Sequence, residues 1–128
     1  MAINENGRMT TSARPDPGNA TEFIEVSTAT ETRDAAVALA RMAVESRLAA
    51  GAQITGPAIS AFWHLGEFGT GEEWRLVLRT RFDLFDDLRA ELTKNHPWQK
   101  PEIIATPILA GSTEFLEWIR VSTRDADS

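Results

Sequence analysis

Residues 72–81 alternate without a break. Trp74, Leu76, Leu78 and Thr80 fall on one side of an extended chain, and Glu73, Arg75, Val77, Arg79 and Arg81 fall on the other. Successive side chains of a strand point to opposite faces, so this segment demands a sheet with one face buried and one face polar. Antiparallel sheets meet that demand when helices cover a single side. The rest of the chain supplies the other parts. Residues 22–29 alternate as a first strand. Thr30 or Thr32 caps a helix with Glu31 and Asp34 at its positive end, Val37, Ala40, Val44 and Leu48 at helical spacing, and Gly51 as its C′ residue. Residues 52–65 form a second strand, bent at Gly56-Pro57, and Gly66, Gly69 and Gly71 supply a turn into the third strand. Asp83 caps a second helix carrying Phe85, Leu88 and Leu92. Residues 102–109 read as a fourth strand that Pro107 confines to an edge or a bulge. Ser112 or Thr113 opens a short last helix with Phe115, Leu116 and Ile119.

The order is β-α-β-β-α-β plus a terminal helix. It predicts an α+β, ferredoxin-like sandwich: an antiparallel sheet with two helices on one face. The other face is then left open, and Val77 with Phe62 or Trp63 on it predicts burial against further copies of the chain.

Composition narrows the partners. With 13 Lys and Arg against 19 Asp and Glu, the 128-residue chain carries a net charge of −6 and no long basic run. Nucleic acid and anionic membranes are therefore not expected as partners. The absence of cysteine removes disulfides, thiolate chemistry and Cys-based metal sites. No stretch approaches membrane-spanning length, and the first twenty residues lack a continuous apolar run, so a cytoplasmic protein is expected. Residues 1–20, rich in Pro, Gly, Asn, Thr and Ser, read as a disordered tail, residues 21–122 as the domain, and 123–128 as a flexible end.

The segment His96-Pro97-Trp98-Gln99-Lys100-Pro101-Glu102 is the most pointed candidate for function. Two prolines remove two backbone donors and push the residues before them towards extended geometry, which makes a stiff loop able to present side chains. Its plain alternative is a connector whose Trp packs on the core.

These residues resemble a known family. Arg47-Leu48-Ala49-Ala50, Ser60 through Gly66, Glu73 through Thr80, His96 through Glu102, then Pro107, Gly111 and Phe115-Leu116-Glu117-Trp118 are similar in order and spacing to CutA, the divalent-cation-tolerance family. The resemblance runs from Phe23 to Val121. It implies a ferredoxin-like subunit in a tight homotrimer, an architecture similar to the PII signalling proteins, and an association with copper or other divalent cations. The sequence also departs from the family pattern. Ser27 and Gly51 stand where cysteines are usual, His64 replaces a strand-two aromatic, and Gly69 or Gly71 takes the place of an acidic residue. Arg79-Thr80 replaces Lys-Thr, and Trp98 replaces Tyr.

Three readings follow. The first is a CutA-like protein without catalysis, tied to divalent-cation tolerance, with any Cu²⁺ or Zn²⁺ held by His96 and Glu102, with help from carboxylates such as Glu73. The second is an enzyme on this scaffold, in which His64 and Glu73 do acid–base work on a small organic substrate in an intersubunit pocket with Trp63, Arg75, Trp98 and Lys100. The third is a PII-like sensor that binds a small anion through Arg75 or Arg79. For His96 the plain alternative is a loop residue whose ring bonds a backbone carbonyl, for His64 it is a half-exposed strand end, and for Glu73, Arg75 and Arg79 it is solvated cross-strand pairing.

Overall fold

The structure is a computed structural model that describes residues 21–126. Its elements run β1 (Phe23–Thr30), α1 (Arg33–Glu45), β2 (Gly51–His64), β3 (Glu67–Arg81), α2 (Phe85–Asn95), β4 (Ile104–Pro107) and α3 (Thr113–Ser122), with one 3₁₀ turn, Phe82–Leu84, leading into α2. The four strands form one antiparallel sheet in the order β2-β3-β1-β4. The expected element order and mixed α/β class stand. The expected tail at residues 1–20 lies outside the described residues.

The alternation that opened the argument sets the layers. Leu76 and Leu78 of β3 and Ile24 and Val26 of β1 turn to one face. There they meet Leu39, Ala40 and Ala43 of α1 and Leu84, Leu88 and Leu92 from the α2 region, which puts both helices on that face. At about 25 cal/mol per Å² of apolar area this is the main source of stability. A smaller cluster of Phe23, Ala50 and Ile119 lets α3 pack at one end of the opposite face. The rest of that face holds Glu25, Ser27, Arg75, Val77 and Arg79, half-buried and laced by ion pairs of Arg79 with Glu25 and Arg75 with Glu102.

Thr32 is the α1 cap, its hydroxyl accepting from the Ala35 N–H. The expected stop at Gly51 is wrong by four residues: Arg47 takes the left-handed conformation (φ 62°). The Arg47 N–H reaches the Val44 carbonyl and the Leu48 N–H reaches that of Ala43, a Schellman closure that lets Leu48 turn back into the core. Asp83 does not cap α2; it pairs with Arg81 at 2.9 Å. Beyond α3 the chain stays on the body. Thr123 is buried, its neighbour's N–H donates to the Arg47 carbonyl, and Ala126 packs on the main core.

The β2–β3 hairpin is longer than the glycines suggested. Strand pairing continues to His64↔Glu67, so the turn is only Leu65-Gly66. Both residues have positive φ (52° and 80°), the geometry of a two-residue turn that matches strand twist. Gly69 lies within β3, where an added Cβ would come within 2.9 Å of the Phe62 ring, so its bareness makes room for that ring. Beyond the register shift between Thr55 and Ala58 the hairpin leaves the helix-covered body as an arm. On it Ile59, Phe62, Trp63, Leu65 and Phe68 are exposed.

Candidate functional site

The arm and the loop after α2 enclose an open cleft of about 930 Å³. Phe62, Trp63, His64 and Leu65 come from the arm, with Glu73 at its base. Trp98, Gln99, Lys100 and Glu102 come from the loop, and Glu31 from the end of β1. Six of the nine residues singled out from sequence therefore share one space: Trp63, His64, Glu73, Trp98, Lys100 and Glu102. The other three, Arg75, Arg79 and His96, do not line it.

His96 explains why the loop is stiff. Its ring is buried, and both nitrogens are in use. Nδ1 accepts from the Trp98 N–H at 3.0 Å, so Nε2 carries the proton and donates to the Ala29 carbonyl at 2.8 Å, with the Thr28 hydroxyl oxygen 3.2 Å away. The ring thus ties the loop to β1. Burial pushes its pKa below the ordinary value and the Ala29 carbonyl pulls weakly the other way. Held like this, the imidazole has no lone pair to give a cation.

Trp98 lies next to it, ring centres 5.2 Å apart, and its indole N–H donates to Glu31 Oε1 at 3.2 Å. Glu73 accepts from the Ser60 hydroxyl at 2.8 Å, a cross-strand pairing near the start of the arm. His64 stands exposed across the cleft and makes no hydrogen bond to Glu73. Glu102 is held bidentately by Arg75, at 2.9 and 3.3 Å. That bond, more than anything else, holds the Arg75 guanidinium above its ordinary pKa. Arg79 is spent elsewhere, on Glu25 at 3.0 Å and Gln53 at 3.3 Å, with Phe115 under its guanidinium.

The donor set does not fit a metal within one chain. Among the described residues no group of three His, Cys, Asp or Glu comes close enough to hold an ion. Sequence reasoning gave Glu31 no part in the site. It reads as a first-turn helix charge, and only the fold brings it beside a tryptophan 67 positions away.

A four-stranded antiparallel sheet with two helices on one face, a projecting β2–β3 arm and a His-Pro-Trp loop locked to β1 defines a protein of the split βαβ class. The family is settled by comparison: the model described as CutA1 divalent ion tolerance protein matches residues 24–122, and the chain belongs to that family. The rice protein CutA 1, chloroplastic, is 35% identical over 94 residues, which are 73% of this chain and 53% of that protein. The divalent-cation tolerance protein CutA of Thermus thermophilus is 34% identical over 92 residues, 72% of this chain and 89% of that one. The crystal structure of CutA1 from Oryza sativa superposes with a TM-score of 0.79 at 33% identity, covering 82% of this chain and 96% of that one. The chain spans only about half to two-thirds of the plant proteins it matches.

Proposed function

We propose that the chain serves divalent-cation tolerance as a non-catalytic homotrimer of PII-like architecture, with copper as the first cation to test. The observation that carries the assembly is the arm. Trp63 is 76% exposed and Leu65 90%, beside exposed Ile59, Phe62 and Phe68, an apolar surface that a lone subunit leaves in water. Leu65 is the sharpest case. It occupies a left-handed position that suits Asn or Gly, at a cost of about 1–2 kcal/mol for an ordinary side chain, and yet presents an exposed leucine. Packing against a second copy gives that side chain a use. The relatives' names supply the cation. Cytoplasmic residence belongs to the same proposal. No described helix is long and apolar enough to cross a membrane.

Sedimentation at micromolar concentration should give the mass of three chains; the mass of one sinks the assembly. A strain lacking this gene should lose growth in copper, and the wild-type chain should restore it; unchanged growth sinks the cation role. A Cu²⁺ or Zn²⁺ ion held by His96 and Glu102 would require the imidazole to leave Ala29 and the carboxylate to leave Arg75. Any Cu²⁺ or Zn²⁺ binding to the protein should therefore be insensitive to His96→Ala, whereas tight binding lost in that variant would restore the two-residue site.

The cleft favours a second reading, a small-molecule site. Its volume and aromatic walls suit an organic ligand. Neither acid–base chemistry by His64 and Glu73 nor anion capture by Arg75 and Arg79 has comparable support, because the first pair is not joined and both arginines are already paired.

A further inference from the structure

We infer that the cleft takes a small organic cation, an alkylammonium or comparable amine, in preference to a bare metal ion or an anion. This rests on the second reading above, that the cleft holds a ligand. Three aromatic residues line it, Phe62 and Trp63 from the arm and Trp98 from the loop. An aromatic face attracts a cation placed within about 6 Å of its centre, most strongly where water is displaced.

The charges around the rings agree. Glu31, Glu73 and Glu102 border the space against one lysine, Lys100. Arg75 neutralises Glu102. Glu31 accepts from the Trp98 indole and Glu73 from the Ser60 hydroxyl, each on a single oxygen, and the Arg75 guanidinium lies close enough to Glu73 for their charges to attract. Each leaves its second oxygen without a hydrogen bond. The indole that orients Glu31 belongs to a residue lining the cleft, so carboxylate and aromatic group are positioned together.

A metal ion needs several donors converging on one point, and these carboxylates do not converge among the described residues. An anion would meet three carboxylates against Lys100 and an Arg75 that is already paired with Glu102. A cation with an organic body uses both features: its body rests on the rings while the separated carboxylates share its charge.

Full-length protein in its native assembly is titrated with choline, with its neutral isostere 3,3-dimethylbutan-1-ol, and with acetate, following tryptophan fluorescence and heat. Choline should bind at least about tenfold more tightly than the alcohol, and acetate should not compete. Glu31→Gln keeps an acceptor for the indole and removes the charge; Glu73→Gln does the same for Ser60. Each should weaken choline severalfold with assembly mass and circular dichroism unchanged. Trp98→Leu should weaken it further. Equal affinity for choline and the alcohol overturns the cation preference while leaving a ligand cleft standing. Binding of neither overturns the cleft reading itself, and tighter binding of acetate reverses the sign of the site.

Discussion

The body of the molecule and its arm are built from the same pattern and end differently. Both are antiparallel β-ladder carrying large apolar side chains. In the body, Leu76 and Leu78 find α1 and α2 and are fully buried. In the arm, Phe62, Trp63 and Phe68 run past the last helix and stay exposed; the Trp63 and Phe68 rings meet edge to face at 6.1 Å, and Phe62 lies over Gly69. Alternation states that a face must be covered, and the length of the covering helices decides whether the same chain can do it.

Core truncation should have the largest effect. Leu88→Ala removes a fully buried side chain between α2 and the sheet and should cost about 2–5 kcal/mol, read as a lower urea midpoint. The contrast between body and arm predicts a different outcome for Trp63→Ser with Phe68→Ser. Subunit secondary structure should survive while the sedimenting mass falls towards one chain. If the double arm variant unfolds the subunit as thoroughly as Leu88→Ala, arm and body are one cooperative unit and the contrast fails.

Leu65 sharpens the same point from the other side. Leu65→Asn places a residue that tolerates positive φ at the turn and should relieve about 1 kcal/mol of backbone strain. Stability of the isolated subunit at high dilution should rise, and association should weaken. A variant that gains in both respects would mean that the leucine makes no contact between copies.

What the sequence made legible follows from periodicity. The order of elements, the buried faces of β1 and β3 and the apolar stripe of α2 needed only periods of two and 3.6. The stripe expected on α1 shared only Ala40 with the buried set of Ala36, Leu39, Ala40 and Ala43, and Leu48 lies past the helix end. Boundaries set by single backbone conformations were not legible. Nothing marks Arg47 as the left-handed residue that ends α1, because that conformation is normally glycine's and Gly51 stood nearby as the obvious choice. Gly69 and Gly71 read as turn glycines although they lie in β3, Gly69 to make room for Phe62. The site was half legible for a related reason. Residue types in the His96–Glu102 loop announced a functional segment, but whether His96 faced a ligand or the core depended on the Ala29 carbonyl, to which no pattern in sequence points.

His96 gives the next prediction. Folding depresses its pKa, so above the ordinary value of about 6.5 the ring is neutral in both folded and unfolded chains and costs nothing. As pH falls through that value the unfolded chain takes up a proton that the folded chain resists. Stability should therefore drop between about pH 6.5 and the lower folded-state value, then level off for this group. His96→Asn, which keeps an acceptor for the Trp98 N–H and does not titrate, should flatten that drop. His96→Ala should cost about 1–3 kcal/mol at neutral pH by leaving the Ala29 carbonyl and the Trp98 N–H without their partner.

The smallest effect should come from Arg75 and Glu102, and it tests whether the loop depends on the sheet face or only rests on it. Their contact is bidentate, but both side chains keep roughly a third or more of their surface in solvent (32% and 42%). Screening by water then holds such a pair to about 0.2–1 kcal/mol. A double-mutant cycle with Arg75→Met and Glu102→Gln in low salt should return a coupling in that range, shrinking further in 0.5 M salt. A coupling above about 2 kcal/mol that survives salt would mean that water is excluded from the pair. In a protein whose sheet face meets further copies, that exclusion would come from a neighbouring subunit. The same cycle repeated on the monomeric Trp63→Ser, Phe68→Ser variant would then fall back to the exposed value, which ties the strength of this one ion pair to the covering of the arm.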